Sequence, residues 1–181
     1  MIIKQANPDQ YQDVRSFYFK VIDGIADLPY GAGWKKDIYP APEFLQESIR
    51  NGDLYIAEES GEIIAAMVLN HLSNDGYRQG EWVTPAEDFE VTLIHALGVD
   101  TPHTGKGVGR QMVEFAIETA RKQGQKVIRL DVLKGNLPAA KLYTSIGFRY
   151  IQPLTLFYED TGWTEYELYE YPLGERLTKH V

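Results

Sequence analysis

The sequence has no cysteine among its 181 residues. That excludes a disulfide scaffold, a thiolate nucleophile and a cysteine-ligated metal, and it suits a reducing cytoplasm. No hydrophobic run approaches the roughly 20 residues of a membrane span. The start, Met1-Ile2-Ile3-Lys4-Gln5, turns polar too early for a signal peptide. Positive charge is scarce too, with 18 Lys+Arg against 26 Asp+Glu and a formal net charge of −8. An acidic surface repels phosphate backbones and attracts cationic ligands such as amines. The expectation is a cytoplasmic protein with no nucleic-acid partner, no membrane partner and no metal site.

What is present describes an ordinary globular chain. Hydrophobic residues make up 44%, and the length suits one domain with a substantial core, so residues 1–181 are expected to form one unit. Twelve Tyr stand against 7 Phe and 3 Trp, and Tyr, apolar in body with a polar tip, suits half-wet clefts. Ile2 and Ile3 read as a strand, and Asn7-Pro8 as the cap of a helix carrying Val14, Phe17, Val21 and Ile22 at helical spacing. A second helix is expected around residues 43–50, stopped by Asn51-Gly52. Strands at 54–58 and 63–70 flank Glu59-Ser60-Gly61, a hairpin signal. A β-prone run over 89–99 leads into a glycine turn and a helix, then a strand at 127–132, a helix at 136–146, and a closing antiparallel pair. The order is mixed α/β.

The turn Thr104-Gly105-Lys106-Gly107-Val108-Gly109-Arg110 joins a strand to a helix N-terminus. Its alternate glycines permit close approach of the backbone and positive φ, and unpaired N–H groups at a helix start favour phosphate. A tight connection that binds nothing has the same spacing. A P-loop pattern is absent, and a dinucleotide fingerprint read from Gly105 needs glycine where Arg110 stands.

From Phe89 to Tyr150 the chain resembles the GNAT N-acetyltransferases. Thr104–Gly109 is similar to their diphosphate-binding motif, with Thr104 in place of the usual Gln or Arg. Asn136-Leu137-Pro138-Ala139-Ala140-Lys141-Leu142-Tyr143-Thr144-Ser145-Ile146-Gly147-Phe148 is similar to a second family block. The resemblance implies a mixed, mainly antiparallel sheet flanked by helices and splayed at its centre. It implies acetyl-CoA as cofactor, with Thr104, Gly105, Lys106, Gly107, Val108, Gly109 and Arg110 at the diphosphate. Leu97, Gly98 and Val99 would pair with the pantetheine arm, while Asn136 and Tyr143 would also contact the cofactor. The activity implied is acetyl transfer to a primary amine, either small or a peptide N-terminus. The rival is a non-catalytic acyl-CoA sensor of the same fold.

Acetyl transfer needs a neutral amine. For a lysine-like ammonium titrating near 10.4, deprotonation at pH 7 costs roughly 4–5 kcal/mol, which a general base offsets. His95 occupies a spacing used in a histidine proton relay in the arylalkylamine branch. Asp131 has the spacing of a proton acceptor in the ribosomal-protein branch. Each also reads as a structural residue of its strand, Asp131 more so than His95, and Glu90 is a weaker third. Tyr143 is the acid candidate, its hydroxyl placed by the resemblance at the CoA sulfur. Tyr30, Trp34, Tyr39 and Trp82, on two irregular ring-bearing segments, are candidate acceptor walls or plain loop packing. The Tyr-rich strand at 165–171 is a candidate edge for a homodimer.

Overall fold

The computed structural model describes residues 1–174; residues 175–181 of the expected domain lie outside the described residues. The elements run β1 (Ile2–Gln5), α1 (Tyr11–Ile25), α2 (Pro42–Asn51), β2 (Leu54–Glu59), β3 (Glu62–Asn70), β4 (Val91–Val99), α3 (Val108–Lys122), β5 (Val127–Leu133), α4 (Leu137–Ile146), β6 (Arg149–Tyr158) and β7 (Gly162–Pro172). The mixed α/β reading holds. Seven strands form one sheet in the order β1-β2-β3-β4-β5-β7-β6. Every neighbouring pair is antiparallel except β4 and β5.

Local chemistry explains the early elements. Ser60 and Gly61 both take positive φ, 53° and 84°, the conformation of a two-residue turn whose twist matches that of its strands. The hairpin is therefore one residue tighter than its sequence suggests. Val14, Phe17, Tyr18 and Val21 of α1, with Leu45 and Ile49 of α2, bury against Leu54, Ile56, Ala66 and Val68 on one face of the sheet. On the other face, Met112, Val113, Ala116 and Ala120 of α3 pack on Ile128, Leu130 and Val132. No helix of the described residues is long and apolar enough to cross a membrane.

The closing pair differs from its expectation in one respect. β7 is paired along its length with β5, from Val127↔Pro172 to Leu133↔Tyr166, and with β6 on its other side. The strand at 165–171 is interior to the sheet and offers no free edge to a second copy. Insertion between two strands buries Leu168, Tyr169 and Glu170, whose mixed polarity hides this in sequence.

Glu170 is fully buried and opposes Arg129 of β5. Its carboxylate accepts the Thr84 amide at 3.0 Å and the Thr84 hydroxyl at 3.0 Å. Arg129 donates to the Thr84 carbonyl at 2.7 Å, and its Nε lies 3.9 Å from Glu170. The guanidinium sits 4.4 Å from the Trp82 ring centre. This network pins the segment at 80–90 to the sheet. Removing one partner of a buried pair strands the other, at about 3–5 kcal/mol. Glu170→Ala is expected to lower the thermal midpoint by roughly 10 °C in a chain of this size, measured by calorimetry; a shift under about 2 °C refutes the network's role.

Candidate active site

The site begins with a break in β4. Ala96 has φ 50°, an uncommon conformation for a residue with a Cβ. Register jumps there, from Val68↔His95 to Ala66↔Gly98, so Ala96 and Leu97 together oppose one residue of β3. This is a β-bulge, which bends a strand away from its neighbour. Tyr18 of α1 donates its buried hydroxyl to the Ala96 carbonyl at 2.8 Å, so the bulged peptide is held from inside the core. Pairing of β4 with β5 covers only Val91–Leu93 against Val127–Arg129. Beyond it the strands separate, and the expected central splay is present. Residues 94–99 therefore face a gap in place of a partner strand.

The chain leaves β4 through a short turn at Thr101–His103 and enters the glycine segment. Gly105 and Gly107 take φ of 78° and 84°, and a Cβ at either would meet nothing within 4 Å. Conformation selects glycine at these two positions, and the surface beside them is open. Gly107 is the N-cap of α3, whose first intrahelical bond runs from Gln111 to the Gly107 carbonyl. The amides of Val108, Gly109 and Arg110 precede that bond and have no intrahelical acceptor. Gly109 differs from the expectation of a third flexible position: it is helical, and a Cβ there would stand 3.3 Å from Leu142 of α4. Its smallness lets α3 and α4 approach. The Arg110 side chain ties those helices, donating to Ser145 at 2.8 Å. Lys106 and Thr104 are exposed, with Thr104 Oγ1 donating to the Asp100 carbonyl at 3.3 Å.

At the splay a cavity passes between the sheet halves. His95, Ala96 and Leu97 of β4, Asp131 and Val132 of β5, and Asn136, Ala139 and Tyr143 around α4 line it. Trp34, Tyr39, Tyr158, Asp160 and Tyr166 line it too. Asp131 accepts hydrogen bonds on one oxygen, Oδ2, from Tyr77 and Tyr158 hydroxyls, each at 2.7 Å. Burial raises its carboxyl above the usual range, the two tyrosine bonds oppose that rise, and the charge of Asp160 adds to it. Both tyrosines bind Oδ2, and the residue lines the cavity.

His95 Nε2 lies 2.9 Å from Asn70 Oδ1. That oxygen also accepts the Leu72 amide at 3.0 Å, which fixes it as an acceptor and makes His95 Nε2 the protonated nitrogen. Burial pushes the imidazole down to about 4, against a smaller upward pull from a hydrogen bond to the Leu72 backbone, so it is neutral at neutral pH. Tyr143 is buried against Phe148, ring centres 5.3 Å apart. Burial and the charge of Asp131 raise its phenol, so it stays protonated. Asn136 caps α4, its oxygen accepting the Ala139 amide at 3.3 Å, and it also lines the cavity.

Of the four rings expected to wall an acceptor site, Trp34 and Tyr39 line the cavity. Trp34 lies against Gly98, where a Cβ would be 3.4 Å from its ring. Tyr30 and Trp82 do not line the cavity. Tyr30 is exposed, and Trp82 donates to the Tyr77 carbonyl at 2.9 Å and stacks under Arg129, which makes it a packing residue. Glu90 is outside as well, paired with Lys126 at 2.7 Å. The sequence reading misses Tyr158, Asp160 and Tyr166. Asp160-Thr161-Gly162 reads as an exposed turn, and no local pattern signals that β6 and β7 carry it back to the cavity.

The model of the "Acetyltransferase (GNAT) family" matches residues 19–148. An uncharacterized N-acetyltransferase of Methanocaldococcus jannaschii is 26% identical over 81% of this chain and 59% of its own length; the chain thus spans under two thirds of that relative. The N-alpha-acetyltransferase RimI of Mycobacterium tuberculosis is 26% identical over 73% of this chain and 75% of its own. Among solved structures, yncA of Salmonella typhimurium, solved with its cofactor acetyl-CoA, superposes with a TM-score of 0.68 at 19% identity, covering 97% of this chain and 95% of that one.

Proposed function

The chain belongs to the GNAT acetyltransferase family, and from that premise we propose that it transfers the acetyl group of acetyl-CoA to a primary amine. One observation carries this reading. The unpaired stretch of β4 ends at an open glycine cradle and borders a cavity holding a carboxylate and a phenol.

The residues fit the cofactor. Open space at Gly105 and Gly107 and free amides at Val108–Arg110 suit a diphosphate, with Lys106 near enough to add charge and Thr104 at the turn's start. The strand edge at Leu97, Gly98 and Val99 suits the amide-bearing pantetheine arm, as an added strand suits a sheet edge. Asn136 and Tyr143 then border the thioester end, where acetyl-CoA supplies an activated acyl group. A backbone N–H of the splayed strand would polarise the thioester carbonyl there.

The rest is proton handling by this chain. Asp131 Oδ1 holds the incoming ammonium and takes one proton from it, leaving the nitrogen lone pair free. Tyr77 and Tyr158 keep that carboxylate oriented. His95 is the poorer base at about 4 and serves to hold the cavity wall, its ring anchored on Asn70. Tyr143 donates a hydrogen bond to the departing sulfur; its raised phenol is a weaker acid than a thiol near 8.5, so it stabilises a thiolate without surrendering its proton. The second proton lost from the amine ends on the thiol. Acceptors of this class are small amines or peptide N-termini, the latter suggested by the name of the RimI relative.

The test is thiol release from acetyl-CoA across a panel of small amines and short peptides, with CoA binding measured in parallel. Turnover on at least one amine is expected. Tight binding with no release on any acceptor would establish the sensor reading instead.

A further inference from the structure

Beside Asp131, the cavity contains a second carboxylate that the acetyl-transfer scheme does not use. Asp160 is 5% exposed, lines the cavity, and its Oδ1 has no hydrogen-bond partner. Trp34, Tyr39, Tyr158 and Tyr166 line the same space. Their ring centres follow one another at 5.9 Å, 6.3 Å and 5.0 Å, making a continuous aromatic wall. No Lys or Arg is among the lining residues. Burial raises the Asp160 carboxyl; hydrogen bonds from the Asp160 and Thr161 backbone amides oppose that rise, and the charge of the exposed Lys35 opposes it less. Lys35 makes no ion pair with that carboxylate among the described residues.

A buried carboxylate without a cation is costly; backbone amides satisfy part of Asp160, while its Oδ1 is left without a partner. A monoamine cannot fill both needs, because it surrenders its one positive charge in order to react. We propose that the acceptor carries a second positive charge, bound by Asp160 within the Trp34–Tyr39–Tyr158–Tyr166 wall, which makes an α,ω-diamine or related dication the substrate class. This rests on the acetyl-transfer reading and specifies its acceptor. The reacting nitrogen loses its proton at Asp131, while the distal ammonium stays charged on Asp160. Cation–π attraction from the four rings adds to that ion pair. The two carboxylates also repel one another, since the charge of Asp160 raises Asp131; a cation seated between them relieves this.

The experiment compares 1,4-diaminobutane, 1-aminobutane, 4-amino-1-butanol and 4-aminobutanoate at saturating acetyl-CoA. The diamine is expected to exceed 1-aminobutane in kcat/KM by at least about tenfold beyond its twofold statistical advantage, mainly through KM, with 4-aminobutanoate the poorest. In Asp160→Asn the diamine-to-monoamine ratio is expected to collapse to about twofold. A flat wild-type series overturns the proposal without any variant, and it leaves acetyl transfer standing. Absence of thiol release with every small amine and peptide of the wider panel refutes acetyl transfer itself. Calorimetric titration of the CoA-loaded protein then decides the subsite. Diamine binding about tenfold tighter than 1-aminobutane, and lost in Asp160→Asn, upholds it, and equal binding overturns it.

Discussion

Asp131→Asn is expected to lower kcat by about 10²–10⁴-fold, the range lost when a positioned general base is removed. The substitution keeps shape and the ability to accept from Tyr77 and Tyr158, so the fold should survive and the loss should fall on proton transfer. Two directions of shift make this choice over His95. Burial raises the Asp131 carboxyl, which makes it a stronger base than an ordinary aspartate. Burial lowers the imidazole to about 4, which makes it a weaker base than an ordinary histidine. The pH profile carries the sign of this argument. As pH falls, wild-type kcat/KM should decline when Asp131 takes up a proton, at a pH above the usual aspartate value. No break belonging to His95 should appear near 6.5, because that group remains neutral down to about 4. A break near 6.5 that His95→Gln abolishes would reverse the assignment and make the imidazole the base.

Tyr143→Phe is expected to lower kcat by about 10- to 100-fold, with the amine KM little changed, because a single hydrogen bond to developing charge is lost. The hydroxyl makes no hydrogen bond among the described residues, while the ring packs on Phe148 at 5.3 Å. Replacement by Phe thus preserves the packing and leaves no buried polar atom stranded. The thermal midpoint should move by less than about 2 °C. Steady-state kinetics with calorimetry on the same preparation separate the outcomes. A kcat within about twofold of wild type would falsify the role given to this phenol. A large drop in midpoint would show that the residue matters for packing.

How far the site was legible in sequence varies residue by residue. Gly105 and Gly107 announced themselves because positive φ at a strand-to-helix junction is a local demand that glycine meets. Asn136 was equally legible, since a cap acts within three residues of its own position. Tyr143 could be placed through the second family-like block and Asp131 through its strand and its spacing from that block, and the structure brings both to one cavity. Their environment was not legible. The hydroxyls that hold Asp131 come from residues 54 and 27 positions away, and no periodicity links them. Trp82 illustrates the opposite error. A ring on an irregular segment looks like a pocket wall in sequence, yet here it shields the buried Arg129.

The dimer-edge expectation failed for a related reason. Whether a strand lies at an edge depends on where its neighbours in space come from, and β7 follows β6 in sequence while pairing with both β6 and β5. By itself, the sequence determined the element types, the hairpin and turn positions, the positive-φ glycines ahead of α3 and the acidic balance of the chain. Each of these depends on residue type and spacing within about one element. Only the tertiary structure decided where β4 and β5 part, which carboxylate is held by tyrosines, that His95 is desolvated and neutral, and that Asp160 is carried into the cavity with Oδ1 unpartnered. Those properties arise from burial and from contacts between distant strands, and desolvation is not a property that a residue has on its own.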